Sequence, residues 1–240
     1  MACKTRARVG YYHPTMSTLK NTLAGHFIVI DGPDGCGKTT QAELLAGALR
    51  AEGLAVCQVR DPGGTPIGEK VRAILLDRDH DEMAVQCELM LYMASRAQLA
   101  DQVIRPALVA GQCVIGDRYI SSTVAYQGAG GLDAPSILAA GEIAVGATWP
   151  DLTIVLDLPA EAGLDRARRK GGKSAKPDRV EAKTVEYHRR VRELFMGQAA
   201  DDPAHFAVVD AAPDAQQVHR RIMDTLANWK WGKHARRQRS

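Results

Sequence analysis

The sequence lacks the features that would place it in a membrane or in an oxidising compartment. Its 240 residues contain no apolar run near the roughly 20 residues that a membrane-spanning helix needs. The N-terminus also has no continuous apolar segment of the kind found in a secretory signal. Only five cysteines are present, and no two are spaced as a C-x-x-C pair, which disfavours a zinc knuckle or a disulfide scaffold. We therefore expect a cytoplasmic protein with reduced thiols and no membrane partner.

Acidic residues are missing from both ends of the chain. Residues 1–24 hold four Lys or Arg, residues 229–240 hold five, and neither end holds an Asp or Glu. The net charge of +3 therefore combines +9 from the two ends with −6 from residues 25–228. We expect a flexible basic arm at 1–24, a domain at 25–228 and a solvated basic tail at 229–240. The arm also has the composition of a transit peptide, and the acidic domain disfavours nucleic acid as the main partner.

Short apolar segments alternate with helical patterns along the domain. Apolar runs of the kind buried on both faces of a parallel sheet lie at 27–31, 56–60, 113–117, 152–158 and 206–210. Helical patterns lie at 39–52, 81–110, 134–145, 160–170, 182–200 and 214–227. This alternation predicts a three-layer α/β fold, in which ligands bind beyond the carboxyl ends of the strands.

The first apolar segment leads into a phosphate-binding pattern. The string GPDGCGKT at residues 32–39 matches G-x-x-x-x-G-K-[ST] and lies between a predicted strand and a predicted helix. Its glycines let several backbone N–H groups converge on one anion, and the helix N-terminus adds partial positive charge. Lys38 is expected to reach the β- and γ-phosphates and Thr39 to face Mg²⁺. The predicted ATP-binding residues are Gly32, Pro33, Asp34, Gly35, Cys36, Gly37, Lys38, Thr39 and Thr40.

Asp117 ends the third apolar segment and is followed by Arg118. A carboxylate in this position suits Mg²⁺, so Thr39 and Asp117 are the predicted metal ligands, although capping of the next helix is an alternative for Asp117 taken by itself. The planar guanidinium of Arg118 suits a second phosphate. The sequence has no N-K-x-D motif for reading guanine, which leaves small-molecule kinases and small ATPases rather than GTPases.

Three further polar segments are expected at the same crevice. The turn at residues 60–65 brings backbone close to a ligand, or is a plain tight turn. Tyr92 and Arg96 share a helix face and could stack on a base and donate to it, or form a core tyrosine with a stacked arginine. The hydroxyl-rich segment 117–128 suits a polar ligand, or caps a helix.

Four strings in order, GPDGCGKTT, RDPGGTPIGEKVR, LYMASRAQ and DRYISSTVAYQG, resemble the thymidylate kinase family over residues 26–228. The resemblance implies a P-loop NTPase fold with a five-stranded parallel sheet, flanking helices and a mobile lid. It also implies phosphorylation of dTMP to dTDP with ATP and Mg²⁺, in a homodimer.

The resemblance assigns roles at the dTMP site. Tyr92 would stack on thymine and Arg96 would reach its O4, while Tyr126 would pack against C2′ of the sugar. Asp34 would meet the 3′-hydroxyl or the metal shell. The implied dTMP-binding residues are Asp34, Arg60, Pro62, Tyr92, Arg96, Arg118, Ser122, Thr123, Tyr126 and Gln127.

Two residues depart from the family pattern at this site. Tyr92 stands where Phe is commoner, so its ring still stacks but its hydroxyl needs a partner. Asp61 stands where the family usually has Glu, so contacts that need the longer side chain are not expected.

A basic segment at about residues 166–181 resembles the family's lid. Because Gly35 stands where some family members have Arg, the protein is similar to the bacterial type, in which a lid arginine supplies the catalytic charge. We predict Arg168 and Arg169 for this role, while Lys170 stands where an Arg is often found. The predicted catalytic residues are Lys38, Arg118, Arg168, Arg169 and Asp34.

Two other functions stay open at the level of sequence. The Tyr92 substitution and the altered lid are compatible with a kinase for another pyrimidine deoxynucleotide, such as a dUMP-like compound. The basic ends are compatible with a P-loop ATPase that binds nucleic acid, although the predicted base-binding residues argue against it.

Overall fold

A computed structural model of the chain describes residues 22–171 and 178–231. The predicted arm at residues 1–21, residues 172–177 of the predicted lid and residues 232–240 of the predicted tail lie outside the described residues.

Five parallel strands form one sheet at the centre of the domain. They are β1 (Phe27–Asp31), β2 (Val56–Arg60), β3 (Cys113–Asp117), β4 (Leu152–Asp157) and β5 (Phe206–Asp210). Their order across the sheet is β2-β3-β1-β4-β5, so β1 is central. The five-stranded parallel sheet expected from the apolar segments is confirmed, and β4 ends one residue earlier than predicted.

Nine α-helices of at least five residues flank the sheet in the described part of the chain. They are α1 (Lys38–Ala51), α2 (Pro66–Leu76), α3 (Val85–Leu99), α4 (Arg105–Val109), α5 (Ile120–Ala129), α6 (Ala134–Val145), α7 (Ala160–Gly171), α8 (Val185–Asp201) and α9 (Ala215–Asn228). A 3₁₀ turn at Arg78–His80 and a π-helical stretch at Ala100–Ile104 flank α3. The predicted single helix at 81–110 is therefore divided into α3, the π stretch and α4.

Helix α2 was not expected from hydrophobic periodicity, but its start carries a clear local signal. The Thr65 hydroxyl accepts a hydrogen bond from the Gly68 amide at 2.9 Å, which caps the helix. Pro66 occupies the first helical position, where its missing N–H costs nothing. These two residues end the turn at 60–65 and begin α2.

The inner strands β1, β3 and β4 are buried on both faces, as their continuous apolar runs predicted, whereas the outer strands β2 and β5 are partly exposed. Side chains of β1 alternate between two cores, with Ile28 and Ile30 in one and Phe27 and Val29 in the other. The first core is closed by α1 and α9, and the second by α3 to α6. Because the inner strands are covered on both faces, a ligand can reach them only at the strand ends.

The packed part of the chain extends slightly beyond the expected boundaries. Leu23 is fully buried in the first core, although it lies inside the predicted arm. Trp229 and Trp231 also pack against this core, and the Trp231 indole donates to the Leu226 carbonyl at 3.2 Å. The described residues of both ends therefore belong to the domain.

Aspartates end four of the five strands: Asp31, Asp117, Asp157 and Asp210. Ile30 is paired with Asp117, and Asp157 with Asp210, so these aspartates lie together at the carboxyl ends of the parallel strands. Among the described residues, no helix is long and apolar enough to cross a lipid bilayer.

Candidate active site

A cavity of about 690 Å³ opens at the carboxyl ends of β1, β2 and β3. Its walls come from the phosphate loop, the turn after β2, helices α2, α3 and α5, the second half of α7 and the turn at residues 178–181. All of the predicted dTMP-binding residues and both predicted metal ligands line it. Of the predicted ATP-binding loop, Gly32, Pro33 and Cys36 do not line the cavity, but the loop's remaining residues do.

Lys38 is held by the phosphate loop itself. Its ammonium donates to the carbonyls of Gly32 at 3.0 Å and Pro33 at 2.8 Å, and the side chain is 8% exposed. Gly37 precedes α1 with φ of 98°, a conformation that favours glycine. The loop thus holds the lysine charge at the helix N-terminus, where an anion is also attracted by the backbone amides.

Gly35 lies directly against the backbone of α7. Its φ is 73°, and a Cβ built on it would lie 1.9 Å from the carbonyl oxygen of Gly163. A Cβ on Gly163 would in turn lie 2.2 Å from the carbonyl oxygen of Asp34. The phosphate loop and α7 can approach this closely only because both positions lack a side chain.

Thr39 and Asp117 meet at the mouth of the cavity. The Thr39 hydroxyl donates to Asp117 Oδ2 at 2.6 Å, which joins the start of α1 to the end of β3. A hydroxyl and a carboxylate are hard oxygen donors, and Mg²⁺ typically takes one or two such ligands with water and phosphate oxygens. Both predicted metal ligands therefore fit this ion. The described residues contain no group of three or more His, Cys, Asp or Glu arranged to hold a metal ion.

Arg118 follows Asp117 in a left-handed backbone conformation, with φ of 71°. Its guanidinium donates to Ser122 Oγ at 2.9 Å and to Asp34 Oδ1, and it lies over the Tyr126 ring at 5.0 Å. The strained backbone turns the side chain from the strand back across the phosphate loop. Arg118 is therefore fixed by several partners between the loop and α5.

The environment of Asp34 keeps this carboxylate ionised. Burial alone would raise the pKa of Asp34, but the charges of Arg118 and Lys38 and a hydrogen bond with Tyr126 outweigh it and lower the pKa. His188 of α8 is also close, with its Nδ1 3.9 Å from Asp34 Oδ2. A fixed anion inside a phosphate site suits a hydroxyl or metal-bound water rather than a phosphate oxygen.

Asp31 is a buried residue of the site that sequence reasoning did not single out. It accepts hydrogen bonds from Ser121 Oγ at 2.5 Å, Ser122 Oγ at 2.7 Å and the Gly32 amide at 2.9 Å. It also lies 3.8 Å from the Arg118 guanidinium. The sequence signal that could have identified Asp31 is its position at the end of the central strand, just before the phosphate loop.

Arg96 and Asp61 form a buried ion pair in the wall of the cavity. Arg96 Nε donates to Asp61 Oδ2 at 2.5 Å, and its Nη2 donates to Thr123 Oγ1 at 2.9 Å. The Asp61 side chain therefore reaches Arg96 directly, despite being shorter than the glutamate usual in the resembling family. Tyr92 lies one turn before Arg96 and lines the same wall, as the spacing predicted.

Arg60 lies at the rim of the cavity. It is about half exposed and pairs with Glu69 at 3.2 Å. Pro62 lines the wall behind it, and its carbonyl accepts a hydrogen bond from Arg72 at 3.0 Å. Arg72, which sequence reasoning missed because α2 was not expected, adds a further cation to this side of the cavity.

The structure does not bring Arg168 and Arg169 to the cavity. Both side chains are exposed, and Arg169 pairs with Asp165 one turn earlier on α7 at 2.5 Å. Arg166 lines the cavity instead, and it donates to the carbonyls of Ala211 at 2.8 Å and Ala212 at 2.6 Å. Spacing alone could not choose among these arginines, because Arg166 and Arg169 are three residues apart and share a helix side, and only the packing of the helix decides which of them reaches the cavity.

Residues 178–181 complete the cavity and were also missed as site residues. Asp178, Val180 and Glu181 line it, while Arg179 points away from it and is 5% exposed. Asp178 Oδ1 accepts hydrogen bonds from the amides of Val180 and Glu181, both at 2.9 Å. This turn follows directly on residues outside the described part of the chain, and its composition alone gives no signal for a site.

Comparison with known proteins agrees with this geometry. The family model described as Thymidylate kinase matches residues 30–222. The chain belongs to the thymidylate kinase family. The resemblance stated from the four sequence strings is therefore confirmed, and so is the expectation of an enzyme of the nucleoside monophosphate kinase type.

Individual relatives match nearly their whole length. A thymidylate kinase of Deinococcus radiodurans is 45% identical over 199 residues, which cover 82% of this chain and 94% of the relative. One from Geotalea uraniireducens is 42% identical over 201 residues, with the same two coverages. The crystal structure of thymidylate kinase from Ehrlichia chaffeensis superposes with a TM-score of 0.68 at 28% identity, and covers 84% of this chain and 98% of that one. The P-loop NTPase fold is thus confirmed.

Proposed function

We propose that this thymidylate kinase family member phosphorylates dTMP to dTDP with ATP and Mg²⁺, for dTTP synthesis. The observation that carries the proposal is the cavity itself. It joins a phosphate loop with Lys38 to a second cationic position at Arg118, and to an aromatic ring and a buried arginine at Tyr92 and Arg96. This arrangement suits two phosphorylated ligands, of which one carries a base to be read.

The reaction is an in-line transfer between the two ligands. A phosphate oxygen of dTMP, which is already anionic near neutral pH, forms a bond to the γ-phosphorus of ATP. The bond from that phosphorus to the β–γ bridging oxygen breaks, and ADP leaves with the bonding electrons. No strong general base is needed, so the protein's contribution is positioning and neutralisation of charge.

Each cavity residue has a role in this proposal. Lys38 and the loop amides bind the donor phosphates, while Arg118 and Arg60 bind the dTMP phosphate. Tyr92 stacks on thymine and Arg96 donates to O4, with Thr123 near the N3–H edge. Asp34 accepts from the 3′-hydroxyl or from metal-bound water. Further proposed contacts to dTMP come from Pro62, Ser122, Tyr126 and Gln127.

Thr39 and Asp117 would hold Mg²⁺ together with phosphate oxygens. The ion would neutralise charge on the β- and γ-phosphates. Arg166 is the α7 arginine that faces the cavity, and we propose that it contacts the donor nucleotide. A role for Arg168 or Arg169 stays a prediction and requires α7 to turn or bend.

A coupled assay with ATP and a panel of monophosphates tests the proposal. We expect turnover with dTMP to exceed turnover with dUMP, dCMP and UMP, and to stop when EDTA removes the metal. Faster turnover with dUMP or a modified deoxynucleotide would identify that compound, rather than dTMP, as the substrate. ATP hydrolysis that is stimulated by DNA and yields no dTDP from dTMP would overturn the assignment of kinase activity.

We also propose a cytoplasmic homodimer. Neighbouring helices α2 and α3 expose large apolar side chains, among them Ile67 at 54%, Ile74 at 41% and Met90 at 57%. Such groups favour a protein interface when they lie close together. Sedimentation equilibrium should give twice the chain mass, and I74K should shift it toward the mass of one chain.

A further inference from the structure

A buried ion pair ties the turn at residues 178–181 to the wall of the nucleotide cavity. Arg179 Nη2 donates to Glu88 Oε1 at 2.5 Å, and the two side chains are 5% and 3% exposed. Arg179 Nε also donates to the Leu75 carbonyl at 3.0 Å, near the end of α2. One guanidinium therefore joins the turn to both α2 and α3.

Glu88, the partner of Arg179, lies on α3, the helix that carries the proposed base-binding residues. Glu88, Tyr92 and Arg96 follow one another at four-residue spacing, so they share a face of α3. The charges of Glu88 and Arg179 both act on Tyr92, whose pKa is raised by burial and then by Glu88. The ion pair thus lies one turn from the ring proposed to stack on thymine.

Arg179, the other member of the ion pair, lies between residues that line the cavity. Asp178, Val180 and Glu181 line the cavity on either side of Arg179, whose own side chain is directed into the protein. Burying two charges is costly and replacing such a pair with apolar residues is often neutral or stabilising, so its presence is weak evidence for a stability role alone. A role in placing the flanking residues accounts for both its location and its cost.

We propose that the Arg179–Glu88 pair is a positioning element that fixes residues 178–181 against the base-binding face of α3. Occupation of the dTMP site and the placement of Asp178 and Glu181 over the cavity are then coupled through one contact. The proposal deepens the proposed function and rests on it. Neither residue lines the cavity, so each acts through its neighbours.

Kinetics of R179M, E88Q and the double variant test the pair. We expect each single variant to raise the KM for dTMP about tenfold and to lower kcat, while the KM for ATP stays within about twofold. The double variant should be no worse than the poorer single variant, because both changes break the same contact. R179K, which keeps the charge, should fold and give an intermediate KM if R179M does not fold.

A second readout separates positioning from a merely structural role. Amide hydrogen exchange of residues 178–184 should slow when dTMP alone is added to the wild-type protein, and this response should be lost in R179M and E88Q. R189Q is the matched control, because Arg189 forms an exposed ion pair with Glu161 of α7 that does not line the cavity. Its KM values and exchange response should stay within about twofold of wild type.

Two results would overturn the positioning role. They are a wild-type dTMP response in both single variants, and a double variant whose defect equals the product of the single defects. Wild-type protein is assayed first: failure to form dTDP would overturn the proposed function itself, whereas normal dTDP formation with unaffected variants would overturn only the role of the pair.

Discussion

Arg96 and Asp61 contact each other at 2.5 Å with both side chains only 1% exposed, in the cavity wall that is proposed to contact the base. Arg96 is therefore already oriented by the protein, through Asp61 and Thr123. A side chain fixed in this way loses little conformational freedom when a ligand binds.

Asp61→Asn should destabilise the protein strongly, because it leaves the buried Arg96 charge without a counter-charge. We expect a loss of about 3–5 kcal/mol in the free energy of unfolding, measured in urea, together with a raised KM for dTMP. Asp101→Asn is the control, because Asp101 pairs with Arg105 on the surface. It should cost less than about 1 kcal/mol. Equal losses in the two variants would show that the buried pair stabilises the protein no more than the exposed pair does.

Lys38→Ala and Arg118→Ala should each lower kcat by orders of magnitude, because each removes a cation that we propose neutralises charge on the transferred phosphoryl group. The circular dichroism spectrum should stay that of the wild type. Lys70→Ala, at an exposed lysine of α2, should leave kcat unchanged. Turnover near the wild-type rate in either cavity variant would refute its assigned role.

Gly35→Ala should be far more damaging than Gly111→Ala. Both glycines have φ of 73°, so the conformational penalty of a side chain is matched. A Cβ at Gly111 meets nothing within 4 Å, whereas one at Gly35 runs into the α7 backbone. We expect an extra loss of about 1–3 kcal/mol for Gly35→Ala in urea unfolding, with a lower kcat. Similar losses for the two variants would contradict the close contact.

His188→Gln should weaken the pH dependence of stability. Burial lowers the pKa of His188 below its usual 6.5, and the nearby Asp34 and Asp178 only partly oppose this, while Lys183 adds to it. The unfolded chain then binds more protons than the fold just below pH 6.5, so the stability that His188 contributes is complete above that pH and falls as the pH drops. Urea unfolding between pH 7.5 and 5 should show a smaller decline in the variant. Parallel curves would exclude His188 as a source of the decline.

The strands and the phosphate loop could be predicted from sequence because both depend on local patterns. Continuous apolar runs located all five strands, and loop spacing located Lys38 and Thr39. Helix α2 was missed because its evidence lies in the cap formed by Thr65 and Pro66, not in periodicity. Every position that the family motifs assigned to the predicted dTMP site lies at the cavity.

The remaining site residues depend on tertiary placement. Arg166, rather than Arg168 or Arg169, faces the cavity because of how α7 packs on the phosphate loop through Gly163. Asp31, Arg72 and Glu181 become neighbours of the cavity only through the crossing of separate elements. No spacing rule links such residues, so the sequence alone could not assemble them.

The aspartates at the carboxyl ends of the strands determine the electrostatic effect of removing a neighbouring arginine. Asp31 lies beside Arg118, Asp157 binds Arg192 at 2.6 Å, and Asp210 binds Arg221 at 2.6 Å. Removing Arg118 would leave carboxylates facing an incoming phosphate, so attraction would give way to repulsion. The sign of the local field, and not only the number of hydrogen bonds, is set by these pairs.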